Sequence, residues 1–239
     1  EIELLKTKIN YDGEIESSLK LYFKNIELDA TINNDSDFIK FKTKINNKTK
    51  NHKLQLVLLS KNNISKTISQ DAMGIIERKI DFNYKMQDYM PAKRPFELKT
   101  NSYPMQNFVC ANNIIAITKG LHEYEIYKNE LRICLLRCFS TISNPKNPTR
   151  AIPAGPDLKT PEAQLIETIN SDFILTFGNY KKAFKTLDNI FKNYIIIDGD
   201  LEKCKNFKLK EIPDNNYIYG LHENKIIAFD YNKNKLNMI

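Results

Sequence analysis

Residues 38–45 read Phe-Ile-Lys-Phe-Lys-Thr-Lys-Ile, with Ile39, Phe41, Thr43 and Ile45 alternating against Lys40, Lys42 and Lys44. Successive side chains of an extended chain point to opposite sides, so this period of two predicts an antiparallel strand with one buried and one solvated face. Leu19, Leu21 and Phe23 repeat the pattern, as do Leu54, Leu56 and Leu58. Asp35-Ser36 and Asn46-Asn47-Lys48-Thr49 supply turns between such runs. Further strands are predicted at 75–80, 106–110, 113–118, 123–127, 131–138, 171–177, 195–198, 217–221 and 226–231. About a dozen short strands with little helix predict an all-β fold, a large antiparallel β-sandwich.

One stretch departs from this. From Lys181 to Tyr194, Phe184, Leu187, Phe191 and Tyr194 recur three or four apart, which predicts one short amphipathic helix. The organisation expected is a sandwich over 1–178, with 179–239 adding the helix and further strands to the same domain. At 239 residues the chain suffices for one large domain or one and a half average ones. It has no run of 18 apolar residues and no basic-then-apolar leader, so a soluble globular piece is expected. Starting at Glu1 and stopping at Ile239, it reads as cut from something longer.

The net charge of +7 raises the question of nucleic acid. Only Arg78, Arg94, Arg132, Arg137 and Arg150 are arginine among 36 basic residues. Phosphate and base recognition favours the bidentate guanidinium. The lysine excess accompanies many Asn and Ile residues, all with A/T-rich codons, and reads as the mark of a low-GC bacterial genome. No nucleic-acid or membrane partner is expected. The same bias makes each surviving arginine informative, because lysine was the easier source of diffuse charge.

Cys110, Cys134, Cys138 and Cys204 form no framework. Cys134 and Cys138, four apart in a strand, are expected on one face but roughly 13 Å apart, too far to bridge or share a zinc. Buried free thiols in a reducing, cytoplasmic compartment are expected. His52, His122 and His222 are isolated, with no HExxH or HxH setting, and no GxSxG, P-loop or GxGxxG motif occurs. Sugar-binding modules often use exposed Trp, and this chain has none. Five of the nine prolines (Pro145, Pro148, Pro153, Pro156 and Pro161) crowd the segment 145–161. Such a density excludes a central strand and describes a long connection held in one shape.

The middle of the chain carries a longer pattern. Pro104-Met-Gln-Asn-Phe-Val109 is followed by Lys119-Gly-Leu-His-Glu-Tyr-Glu125, then Leu135-Leu-Arg137. Thr149-Arg-Ala-Ile-Pro-Ala-Gly-Pro156 and Thr160-Pro-Glu-Ala-Gln164 complete the series. Upstream lie Ile45-Asn46-Asn47, His52-Lys53-Leu54 and Gly74-Ile-Ile-Glu-Arg78. In order and spacing, over about residues 20–178, this series resembles the C-terminal β-domain of bacterial, mannosylglycerate hydrolase-like α-mannosidases of glycoside hydrolase family 38. Lys53 stands where that family usually has Arg, and Lys79 where Pro is common.

The resemblance implies a galactose mutarotase-like supersandwich and a role inside a retaining, zinc-dependent α-mannosidase. That family's carboxylate nucleophile, its acid and its zinc ligands lie in an N-terminal catalytic domain and a helical bundle, neither of which matches this chain. No catalytic residue and no cofactor is therefore expected in residues 1–239. The implied partners are the N-terminal catalytic domain of the same polypeptide and, through it, an α-mannoside. Arg150 in the proline-rich segment is the residue best placed to reach substrate at the active-site rim or to contact that domain. Arg150 can equally anchor its own loop to a carbonyl or to Asp157. Glu77 and Arg78 read as cross-strand ion pairs, and Gln164 and Glu162 as orienting the strand that follows. Two other classes stay open, a stand-alone carbohydrate-binding module and an aldose-epimerase-like enzyme, which would need a Glu and a His in one cleft.

Overall fold

The computed structural model describes residues 2–81, 100–144, 155–191, 209–211, 217–222, 225–232 and 235–238. Two compact units divide the chain, Glu1–Leu187 and Asp188–Ile239.

In the first unit, β1 (Leu4–Asp12), β2 (Glu16–Phe23), β3 (Ile26–Asn33) and β4 (Phe38–Asn46) run as an antiparallel meander. β5 (Lys53–Leu59) crosses to a second sheet, and β6 (Lys66–Asp71) and β7 (Gly74–Lys79) return to the first. Then follow β8 (Ser102–Pro104), β9 (Phe108–Ala111), β10 (Ile114–Thr118), β11 (Glu123–Tyr127) and β12 (Glu130–Arg137). A one-turn 3-10 helix (Pro161–Gln164), β13 (Thr168–Phe177) and α1 (Tyr180–Phe191), which belongs to this unit as far as Leu187, complete the series. The larger sheet has nine strands in the order β1-β2-β3-β4-β13-β10-β9-β6-β7, and the smaller has four, β5-β12-β11-β8.

The alternation in β4 is realised as its residues dictate: Thr43 and Ile45 are buried, while Lys42 and Lys44 face solvent. Ile114, Ala116 and Phe173 of the larger sheet pack against Tyr124, Ile126, Leu131 and Ile133 of the smaller. Phe41 stacks on Phe173 with ring centroids 4.9 Å apart, which ties β4 to β13 inside that core. β10 is buried on both faces, because its other side is covered as well. There Phe184 of α1 meets Phe108 edge-on at 5.1 Å. The helix starts beside Asn179, whose side chain accepts from the amides of Lys181 and Lys182. The unit is therefore an antiparallel sandwich with a helix on its larger sheet.

Cys134 of β12 and Cys138, just past its end, do not share a face. The ladder between β12 and β5 shifts register between Cys134 and Leu136. Cys134 stands opposite Gln55 on the solvent side of the smaller sheet, whereas Cys138 packs with Ile45 and Leu136 inside the sandwich. An inserted residue in one strand inverts the alternation beyond it, so a count of four no longer returns to the same side. Cys110, Cys134 and Cys138 are free and buried.

The second unit holds an antiparallel sheet of β14 (Leu209–Glu211), β15 (Tyr217–His222), β16 (Lys225–Asn232) and β17 (Lys235–Met238), in that order. Ile218 pairs with Phe229, and Tyr231 with Leu236. The strand expected at 195–198 lies outside the described residues.

Candidate functional site

The registers gather several of the quoted motifs at one end of the sandwich. Arg137, last in β12, stands opposite Lys53, first in β5. Asn46, last in β4, stands opposite Thr168, first in β13. The connection from 47 to 52 and the segment between β12 and β13 therefore meet at this end. Asn47 is buried there and donates through Nδ2 to the carbonyls of Gln164 (3.0 Å) and Leu165 (2.8 Å). Gln164 in turn clamps Asn51 through both ends of its amide. The amide of Cys138 donates to the carbonyl of His52 at 2.8 Å. Gln164, expected to orient the following strand, instead braces the turn between β4 and β5.

Beside this bracket lies a charged cluster on the solvent side of the smaller sheet. Glu123 accepts from Lys53 Nζ at 2.5 Å, from the Ser102 hydroxyl at 2.9 Å and from Arg137 at 3.2 Å. Glu125 takes Lys53 at 3.3 Å and the amide of Gln55 at 3.0 Å. Partial burial raises the pKa of the Glu123 carboxyl, but Lys53, Ser102 and Arg137 outweigh it and hold the group below the usual glutamate range. Lys53 is the counterpart: burial favours the neutral amine, yet its two carboxylates keep its pKa above the ordinary lysine value.

At the edge of the larger sheet, Arg78 of β7, opposite Thr67, binds the Ser69 hydroxyl and pairs with Asp71 at 3.0 Å, its guanidinium 5.5 Å from the Tyr103 ring centre. Lys66 pairs with Glu77 at 3.0 Å on the opposite face. Both neighbours of the Glu-Arg step thus make the cross-strand ion pairs their alternation implies. Asn107 donates to Gln70, and His122 Nδ1 lies 3.3 Å from the Met105 carbonyl. Of the five arginines, Arg78, Arg132 and Arg137 are described, and each engages a carboxylate. Arg94 and Arg150 lie outside the described residues.

The proline-rich segment leaves and rejoins this end through a narrow neck. Thr141 bridges Lys159, the Ile142 amide donates to Leu158 at 3.0 Å, and the Thr160 amide donates to Ser140 at 2.8 Å. The Gly155 amide donates to the Ser143 hydroxyl at 3.2 Å. Sequence reading missed this neck, because nothing local in 139–143 marks it as the partner of 155–160.

Chemically, this end presents hydrogen-bonded amides and paired charges. Glu123 and Glu125 are engaged by cations, and His122 Nδ1 lies by the Met105 carbonyl. Among the described residues no three His, Cys, Asp or Glu side chains lie close enough to hold a metal ion. The donor set needed for a structural or catalytic zinc does not assemble in them. Among the described residues no helix is long and apolar enough to cross a membrane.

No family model matches this sequence, and no curated protein matches it. Its fold has counterparts among solved structures. A protein in glycosyl hydrolase family 38 from Enterococcus faecalis superposes with a TM-score of 0.63 at 14% identity, over 96% of this chain and 31% of that one. An α-mannosidase from Enterococcus faecalis V583 gives 0.62 at 14% identity, over 96% of this chain and 30% of its own. The fold is thus that of one part of larger, multidomain chains. The part in question resembles a partial domain of glycosyl hydrolase family 38 proteins, and this chain spans about a third of their length.

Proposed function

We propose that this chain is the non-catalytic C-terminal β-sandwich part of a retaining, zinc-dependent α-mannosidase. In this reading it supports the catalytic domain of the same polypeptide and holds a loop at the rim of the active site. One observation carries it: Asn47, Thr160 and Gln164, all from motifs that resemble family 38, tie the turn after β4 to the described neck of the proline-rich loop. Residues that secure a loop at one end of a rigid scaffold fit a domain that presents that loop to a neighbour. The likeness of fold to parts of larger chains supports the same reading. Arg150, within the loop, is the side chain assigned to the substrate rim or the domain contact, as a guanidinium can grip sugar hydroxyls or a carboxylate. Zinc, nucleophile and acid belong to the other domain. The buried free thiols support a reducing, cytoplasmic setting.

The test is hydrolysis of an aryl α-mannoside by the longer polypeptide and by the 239-residue chain. The longer polypeptide is expected to turn over and lose activity to a chelator, and the shorter to be inert. Arg150→Ala in the longer polypeptide is expected to lower kcat/KM by about tenfold, the loss of one charged hydrogen bond. Turnover by the shorter chain, or none by the longer, overturns the reading. Mutarotation of free aldoses by the shorter chain would favour the epimerase class instead.

A further inference from the structure

The larger sheet has nine strands, and the sheet packed on it has four. Ile26 and Leu28 of β3 still touch the core clusters, but β1 and β2 continue past them. Register puts Ile9 opposite Leu19, Leu19 opposite Ala30, and Ile32 opposite Ile39. These residues stand on the face that carries Phe41, whose ring is stacked in the core. Yet Ile9, Leu19 and Ile32 are 66%, 38% and 47% exposed. The opposite face of the same strands is built for water, with Lys20 paired to Glu27 and Asp29 at 3.3 Å each.

The extension is thus as amphipathic as the covered part of the sheet, but nothing among the described residues covers its apolar side. A groove of about 410 Å³ opens there, bordered by Ile9, Tyr11, Leu19, Ala30, Ile32 and Ile39. At its end it adjoins the turn between β1 and β2, where Asp12, Glu14 and Glu16 cluster in a chain that is basic overall. Glu14 and Glu16 make no ion pair with any described residue. Pairing of β1 with an added strand is disfavoured by its two register irregularities and by Lys6 and Lys8.

Size decides between occupants. Three strands about 4.8 Å apart, each of about eight residues rising about 3.3 Å, present a face of about 380 Å². A free pair of proteins needs about 800 Å² on each side for a stable complex. A face half that size holds a partner whose effective concentration is raised by a covalent link. We propose that the apolar face of β1–β3 docks a neighbouring domain of the same polypeptide, through apolar side chains bordered by Lys or Arg that meet Asp12, Glu14 and Glu16. This rests on the reading of the chain as part of a longer enzyme and names the surface that reading requires.

The test places p-benzoylphenylalanine at Leu19 in the longer polypeptide, with the same residue at Lys20 on the other face as control. Peptide mapping after irradiation is expected to find Leu19 joined to a segment outside residues 1–239 that carries Lys or Arg, and Lys20 joined to none. Crosslinks from Leu19 to a second copy, only within residues 1–239, or to nothing overturn the proposal. In the isolated 239-residue chain, Ile9→Ser with Ile32→Ser is expected to lower binding of a hydrophobic dye at least about threefold while leaving Tm within about 3 °C. Dye binding unchanged by the pair, or a collapse of Tm, overturns it too. Mannosidase activity is read separately: the crosslink without activity retires the functional reading alone, and activity without the crosslink retires the docking face alone.

Discussion

Gln164 and Asn51 hold each other twice, Gln164 Nε2 donating to Asn51 Oδ1 at 2.8 Å and Gln164 Oε1 accepting from the Asn51 amide at 2.8 Å. The pair spans 113 positions of sequence and joins the turn after β4 to the one-turn helix before β13. Asn51 sits at a φ of 52°, a left-handed backbone conformation Asn tolerates better than most residues. With Asn47 bound to the carbonyls of Gln164 and Leu165, this bracket fixes the end of the sandwich from which the proline-rich loop departs.

Gln164→Ala removes both bonds, but water reaches the exposed Asn51, so a loss of about 1 kcal/mol is expected from urea unfolding. Gln164→Glu keeps the acceptor but not the donor and is expected to fall between wild type and Ala. Equal stability of all three would show that the bracket contributes nothing.

Thr67 and Tyr124 share a 2.8 Å hydrogen bond between the two sheets, and both are almost wholly buried. Thr67→Val and Tyr124→Phe each leave one hydroxyl or its partner unsatisfied, and each is expected to cost about 1–2 kcal/mol. The double variant is expected to cost less than their sum, a coupling of about 1 kcal/mol in a double-mutant cycle. Strict additivity would place the two hydroxyls in separate bonds.

Glu123 links stability to pH. Its folded pKa lies below the ordinary glutamate value of 4.5. The stability it contributes is therefore complete above pH 4.5 and lost as pH falls through the lower folded value. Glu123→Gln is expected to flatten the fall in stability on the acid side of pH 4.5, read from denaturation midpoints between pH 7 and pH 3. An unchanged acid limb would remove Glu123 from the linkage.

The Cys110 thiol is pushed up to about 12 by burial. Burial likewise raises Cys134 and Cys138 above the ordinary thiol value. In a Cys204→Ser background, none of the three is expected to react with a maleimide at pH 8 until the protein unfolds, because the thiolate is the reactive form. Labelling of the native protein within minutes would contradict the burial of at least one of them.

Much of the fold was legible in the chain. The strands at 38–45, 54–58, 113–118 and 123–127 announced themselves by alternation, and the helix by its spacing of three and four. β3 carries the same signal, with Ile26, Leu28, Ala30 and Ile32 against Glu27, Asp29 and Thr31. β1 carries it too, with Leu5, Thr7, Ile9 and Tyr11 against Lys6, Lys8, Asn10 and Asp12. β6 was hidden: its inward residues Thr67 and Ser69 are polar, satisfied by Tyr124 and Arg78, so hydrophobicity marks the wrong face. The bracket was half visible. Asn47 and Gln164 stood in motifs already singled out, but nothing in either motif named the other.

Sequence alone determined which residues of an uninterrupted strand share a face, because side-chain direction alternates residue by residue and needs no knowledge of neighbours. Only the tertiary structure decided which distant residues meet, that Cys134 and Cys138 look opposite ways, and that none of the described residues covers the apolar face of β1–β3. Those outcomes depend on strand order, on one inserted residue in β12 and on a second sheet four strands wide against nine. Each is a property of how strands are paired, and pairing is set by the packing of the whole rather than by any local run of residues.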